Sequence, residues 1–213
     1  MIRVSARRSA PWDARATAGP SASYRRGLAR TGIDPATVDA VVFTHLHADH
    51  IGWNVTDRNG ELVPTFPNAE YIVSKSEWLS GRRRRAATSR AESAPSRNAG
   101  NPVGRGRLRA GPGVQMIATP GHTPGHASIL VTADGSGCVI VGDAAHHPAE
   151  FEDPTLQPPY DSDPAMARET RLGLAERVEA EGLLVAGGHF PAPHVGTLVR
   201  VEGKRRWRWL GAG

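Results

Sequence analysis

The chain has 213 residues, a formal net charge of +5, 39% hydrophobic and 6% aromatic residues, 24 glycines, 17 prolines and one cysteine. This is enough for one domain with a sizeable core; no apolar run reaches membrane-spanning length, no apolar segment follows the N-terminal arginines, and a lone cysteine excludes an internal disulfide framework. Charge is uneven: residues 1–30 carry +6 and residues 81–110 carry +8, leaving −9 elsewhere, and neither basic tract interleaves aromatics, so no specific nucleic-acid partner is expected.

Residues 1–26 are dominated by Ala, Arg, Ser, Pro and Gly without sustained periodicity, and are expected to be unstructured apart from a short strand at residues 2–4. A helical turn beginning near Tyr24 should stop at Gly32. Asp34-Pro35 then reads as a helix start, with the carboxylate at N-cap and proline at N1. The apolar run Val41-Val42-Phe43 reads as a strand leading into Thr44-His45-Leu46-His47-Ala48-Asp49-His50. His45 and His47 fall in the turn, and Asp49 and His50 where it tightens into a helix. Three imidazoles and a carboxylate so close together suit Zn²⁺, with iron or manganese as alternatives.

Residues 51–54 are read as continuing the loop, and residues 57–60 as a turn. Residues 69–73 read as a strand, and Ser74 to Trp78 as a helix N-terminus with Glu77 in its first turn. From Gly81 the character changes. Residues 82–109 hold almost no large apolar side chains, so neither a helix face nor a strand face could be buried there. Residues 114–117 form the next strand, ending in Gly121-His122-Thr123-Pro124-Gly125-His126. Two β-rich runs, 128–132 and 138–141, flank the hairpin signal Asp134-Gly135, and the second run ends in Gly142-Asp143. Cys138 reads as a small buried strand residue in a reducing, cytoplasmic setting. A proline-rich loop covers residues 153–164. A helix is predicted over 165–181, with Leu172, Ala175 and Val178 on one face and Gly182 as its stop. Residues 183–186 form a buried strand ending in Gly188-His189, and residues 197–201 and 207–210 a final hairpin.

Four strand ends thus finish in potential ligands. His45, His47 and His122 would fill one metal position. Asp49, His50 and His189 would fill a second, with Asp143 bridging through its two oxygens. Two such ions can share a hydroxide, lower its pKa and polarise a substrate oxygen.

These motifs, His45-Leu-His47-Ala-Asp49-His50, Gly121-His122-Thr-Pro-Gly-His126, Gly142-Asp143 and Gly188-His189, resemble those of the metallo-β-lactamase fold superfamily over residues 31–203. The resemblance implies an α/β fold, an αββα sandwich of two mixed sheets with a dinuclear site at one edge, and the same seven ligands. The β-rich region that precedes the histidine motif in the family has no counterpart here. Together with the bias of 81–110, this suggests a truncated or frame-shifted member, incomplete at its N-terminal side. The expected organisation is a poorly structured segment at 1–30 and one domain at 31–213 with a flexible Arg-rich insert at 81–110.

The expected activity is hydrolysis of an ester, lactone, thioester, amide or phosphoester bond of a small molecule by a bridging hydroxide, with Asp49 both holding metal and orienting the nucleophile. An iron-dependent oxidative enzyme and an impaired metal-binding remnant are the alternatives. His126 is expected to hydrogen-bond within its loop. His146 and His147 fit supporting roles better than contact with substrate. His194 could line the pocket mouth or simply hold its loop, and Trp53 could be a substrate wall or a packing residue. Lactonase-like members place a tyrosine near the bridging aspartate. Here position 146 is histidine and Tyr160 lies in a loop read as distant, which argues against a lactonase. No membrane partner is expected, while self-association through an uncovered sheet edge into a homo-oligomer is.

Overall fold

The structure, a computed structural model, describes residues 27–58, 61–87 and 108–211. The expected strand at residues 2–4 and most of the insert at 81–110 lie outside the described residues. A helical turn at residues 27–30 ends at Gly32, whose φ of +68° is the left-handed conformation glycine adopts without steric cost. The 3₁₀ turn Pro35–Thr37 follows, capped by the Asp34 carboxylate, which accepts from Ala36 N at 2.9 Å.

Strand β1 (Ala40–Val42) leads through the histidine turn into the short helix α1 (Ala48–Ile51). Next come β2 (Val55–Arg58), β3 (Glu61–Pro64), β4 (Glu70–Ile72) and helix α2 (Lys75–Ala87). The second half holds β5 (Leu108–Gly111), β6 (Val114–Ala118), β7 (Ala127–Ala133) and β8 (Ser136–Ile140). Helices α3 (Ala149–Glu152) and α4 (Pro164–Glu181) precede β9 (Leu184–Ala186), β10 (Val195–Val201) and β11 (Lys204–Trp209).

Two sheets stack. The larger has seven strands in the order β11-β10-β9-β8-β7-β6-β5, antiparallel except for the parallel pair β8–β9. The smaller, among the described residues, is the parallel pair β1–β4. Side-chain alternation sorts the strands into layers. Val42 and Ile72 meet Met116, Ala127 and Ile129 between the sheets. Val41 and Tyr71 turn outwards to join Leu28, Phe43 and Phe66, with Trp78 of α2 packed against them. On the far side, Leu130, Val139, Val141 and Val185 pack against Leu174, Ala175 and Val178 of α4. The layering is α/β/β/α, as the sequence led us to expect.

Local signals account for most boundaries. Asp163 caps α4 by accepting from Met166 N, Pro164 occupies its first turn, and left-handed Gly182 ends it. The β7–β8 hairpin turns on Asp134-Gly135 and the β10–β11 hairpin on Glu202-Gly203, each with two positive φ values, as type I′ turns demand.

Several expectations need correction. Residues 55–58 and 61–64 form an antiparallel hairpin, of which the sequence signals only a turn at 57–60. Thr56, Val63 and Pro64 give it too little apolar alternation to signal strands. Helix α2 continues to Ala87, into the start of the Arg-rich tract, where Arg and Ala are both strong helix formers. At the tract's other end Leu108 and Arg109 already pair with Met116 and Gln115. Cys138 is half-buried rather than buried. The buried stripe of α4 is Ala167, Arg171, Leu174, Ala175 and Val178; Leu172 is only half-buried beside it.

Candidate metal centre

The seven side chains singled out in the sequence come together at the carboxyl ends of their strands. They form two adjoining groups, His45, His47, His122 and Asp143, and Asp49, His50 and His189, within each of which the ligand-type atoms lie within 4.8 Å of one another. Asp143 faces both groups. Its Oδ2 is 3.5 Å from His45 Nε2 and 3.3 Å from His122 Nε2, while Oδ1 is 3.1 Å from His50 Nε2 and 3.4 Å from His189 Nε2. Asp49 Oδ2 lies 3.5 Å from Nε2 of both His50 and His189.

The backbone that delivers these atoms is tightly determined. His47 occupies the N-cap of α1 in an extended conformation, so the chain turns between the first two histidines and Asp49. Gly142 has φ +57°, and a Cβ there would come within 2.7 Å of His126 Nε2 and 2.8 Å of Thr44 Cβ. Any other residue would be both strained and obstructed, which explains the glycine before Asp143. His126 fulfils the loop role expected of it. With its Nδ1–H donating to the Thr119 carbonyl at 3.1 Å, its Nε2 accepts from Asp143 N at 3.0 Å. His194 N donates to Pro191 O and His194 O accepts from Gly187 N, so this residue holds its own loop.

Electrostatics separate the histidines. Burial, followed by the nearby His50, holds His45 well below the ordinary imidazole range, so it stays neutral. Burial likewise takes His126 down to about 3. Burial would also lower His50, but hydrogen bonds to Asp143 and Asp49 outweigh it and raise it to about 9. The same two carboxylates raise His189 to about 10. Desolvation would raise both aspartates, yet their histidine contacts leave Asp49 and Asp143 well below the usual carboxylate range. The centre therefore demands positive charge.

A divalent cation fits that demand. His45 Nε2 is buried and makes no hydrogen bond, as a lone pair kept for a cation would be. His122 Nε2 and His47 Nδ1 approach to 2.9 Å, a spacing that converging ligands share. The donor set, imidazole nitrogen and carboxylate oxygen, is that of zinc and of first-row transition metals generally. The chain thus carries a His/Asp metal site.

Three supporting residues escaped the sequence reading. Glu77 is fully buried; Oε1 accepts from Leu46 N at 3.1 Å and Oε2 from Thr123 Oγ1 at 2.6 Å, so it staples the two histidine loops together. Glu77 lies in the first turn of α2, as expected, and Ser74 Oγ accepts from Glu77 N, but the carboxylate is turned to the loops rather than to the helix terminus. Asp161 lies 3.3 Å from His122 Nδ1, and Arg171 ion-pairs with Asp161 at 3.1 Å. An arginine inside the apolar stripe of α4 was the readable signal for that pair. Tyr160 also needs correcting: it is not distant, since its ring centroid stands 5.9 Å from that of His146, whose Nε2 is 3.4 Å from Asp143 Oδ2. Distance along the chain had stood in for distance in space.

Comparison with known proteins agrees with this architecture. The sequence profile of the Metallo-beta-lactamase superfamily matches residues 14–189. An N-acyl homoserine lactonase of Bacillus cereus is 31% identical over 163 residues, covering 76% of this chain and 60% of that protein. Metallo-beta-lactamase domain-containing protein 1 of Xenopus laevis is 30% identical over 194 residues, covering 88% of this chain and 71% of that protein. Among solved structures, the hydrolase AbOPH superposes with a TM-score of 0.69 at 28% identity, over 90% of this chain and 70% of its own. AidC, described as a dizinc quorum-quenching lactonase, shares the fold at TM-score 0.70 and 19% identity, over 88% and 69% of the two chains. The chain spans about 60% of the length of the lactonases it matches.

Proposed function

Because the chain belongs to the metallo-β-lactamase superfamily, we propose that its His/Asp centre holds two metal ions, zinc by ligand type, and hydrolyses a small ester-type substrate, with lactones the first class to test. The observation that carries this reading is Asp143, whose two oxygens face two different groups of imidazoles. His45, His47 and His122 would hold one ion, Asp49, His50 and His189 the other. The lactonase likeness of the relatives and the Tyr160 ring beside His146 support the choice of lactone.

Two divalent cations here would supply an activated water and Lewis-acid polarisation of the scissile carbonyl. The chain's own residues then divide the remaining work. The Asp49 side chain is about 39% exposed, so it can accept a hydrogen bond from the attacking water and orient it while facing the second group. His146, at the margin of the centre with 19% of its side chain exposed, is placed to pass a proton to the leaving oxygen. His126 and Glu77 fix the loops and take no part in proton transfer.

The test is metal analysis joined to turnover. Protein expressed with zinc should hold about two ions per chain and open a lactone faster than an ester, thioester or phosphotriester. Absence of bound metal would end the dinuclear reading. Iron together with oxygen consumption would move the chain to the oxidative alternative.

A further inference from the structure

Helix α4 buries a charged residue where its helical period calls for an apolar one. Ala167, Arg171, Leu174, Ala175 and Val178 share its inward stripe, and Arg171 is 1% exposed. A buried guanidinium is costly unless its charge is matched, so its partners show what it does. Arg171 Nη1 donates to Asp161 Oδ2 at 3.1 Å and to the Ala144 carbonyl at 3.3 Å, and lies 3.7 Å from Glu150 Oε2. Each partner belongs to a segment beside the metal centre. Asp161, whose side chain is fully buried, presents its other oxygen to His122 Nδ1 at 3.3 Å. Ala144 follows Asp143. Glu150 Oε1 accepts from the backbone N–H groups of His146 and His147, at 2.9 Å each.

We propose that Arg171 is a positioning residue: it holds Asp161, and through Asp161 fixes the ring and tautomer of His122, so that it governs one metal position and not the other. The chemistry is a relay of orientation. Asp161, pinned by Arg171, accepts from Nδ1–H of His122. This leaves the Nε2 lone pair pointing at Asp143 and His47, the direction a metal would occupy. Among the described residues no such carboxylate–arginine pair reaches His50 or His189, whose contacts are with Asp49, Asp143, each other and the rings of His45 and His146. The inference rests on the metal-site reading above, but its structural half concerns His122 alone.

The experiment therefore has a metal-free arm. In ¹⁵N-labelled chelator-treated protein, His122 should show the Nδ1–H tautomer. Arg171→Met should mix the tautomers, and Asp161→Asn should reverse the preference, since the amide can present N–H to the ring. In the second arm, zinc is titrated against a chromophoric chelator. Both variants should lose about 10–100-fold in affinity for one ion and keep the other, and the double variant should be no worse than the worse single one. If Arg171→Met does not fold, Asp161→Asn carries both arms. An unchanged His122 tautomer, equal weakening of both ions, or additive losses in the double variant would overturn the proposal. If the parent protein binds no zinc, the dinuclear reading fails while the tautomer arm still decides this one.

Discussion

The two sheets supply the metal centre in opposite ways. The seven-stranded sheet contributes three ligands scattered over 68 positions, His122, Asp143 and His189, each just beyond a strand. The two-stranded sheet contributes four ligands in six positions, all from the turn after β1. Scattered ligands are located by ladder hydrogen bonds of the strands before them. Clustered ligands have only a three-residue strand behind them and borrow their rigidity: Thr44 O accepts from Ala127 N at 2.9 Å, and Leu46 N is held by Glu77. Density in sequence thus goes with side-chain clamps, and dispersion with backbone register.

The largest expected effect removes what joins the two halves. Asp143→Ala should bring turnover down to that of chelator-stripped parent protein and lower bound metal below two ions per chain. Chelated parent protein should recover with zinc, whereas the variant should not. Recovery of both would mean that the two groups work without a shared carboxylate.

Next comes the contact by which the clamps reach the larger sheet. His126→Ala removes the acceptor for Asp143 N. We expect both ions to be retained at saturating zinc, with about 10–100-fold weaker affinity by chelator competition. Equal stoichiometric loss in His126→Ala and His122→Ala would make His126 a ligand rather than a support.

A smaller effect probes the borrowed rigidity directly. Glu77→Gln keeps the volume but puts a donor where two donors already converge. It should cost about 1–3 kcal/mol in urea denaturation, the penalty of a buried group left unpaired. The first-motif histidines should broaden in NMR spectra while β7 and β8 amides keep their hydrogen-exchange protection. Uniform loss of protection would show that the two sheets are not held independently.

The smallest effect lies far from the centre. The Arg205 hydrogen bond, opposed by burial and helped by Arg200, holds Glu179 below the ordinary carboxylate range. A depressed folded-state value means that the contribution is present above the unfolded carboxylate range near pH 4.5 and is lost as pH falls through the folded value. Because solvent and salt screen such a pair, Glu179→Gln should cost at most about 1 kcal/mol at neutral pH. Its midpoint difference from the parent should vanish in acid.

What could be read from the sequence follows the same division. The seven residues of the centre were legible because ligand chemistry at strand ends is a local signal, and the cap of α4 and the Asp134-Gly135 turn are local as well. Glu77, Asp161 and Tyr160 were not, since each acts on a partner whose closeness only the fold creates. Glu77 reaches 31 residues back to Leu46 and 46 forward to Thr123. The β2–β3 hairpin was missed for another reason: it lacks alternation strong enough to signal a strand. The reading of 81–110 as an insert stands as a proposal for its central part, and limited trypsin digestion would test it.

The parallel pairing of β8 with β9 also bears on how the molecule is made. The hairpins β6–β7 and β7–β8 close over short loops and can form early. Asp143 and His189 cannot meet until the chain has travelled out through α4 and returned beside β8, a closure over more than forty residues. Asp143 Oδ1 can meet His50 from the turn after β1, but it acquires His189 only when that crossover is complete. During refolding, completion of the second metal position proposed above should follow the slow closure rather than the fast hairpins, making metal uptake there a clock for the last step of assembly.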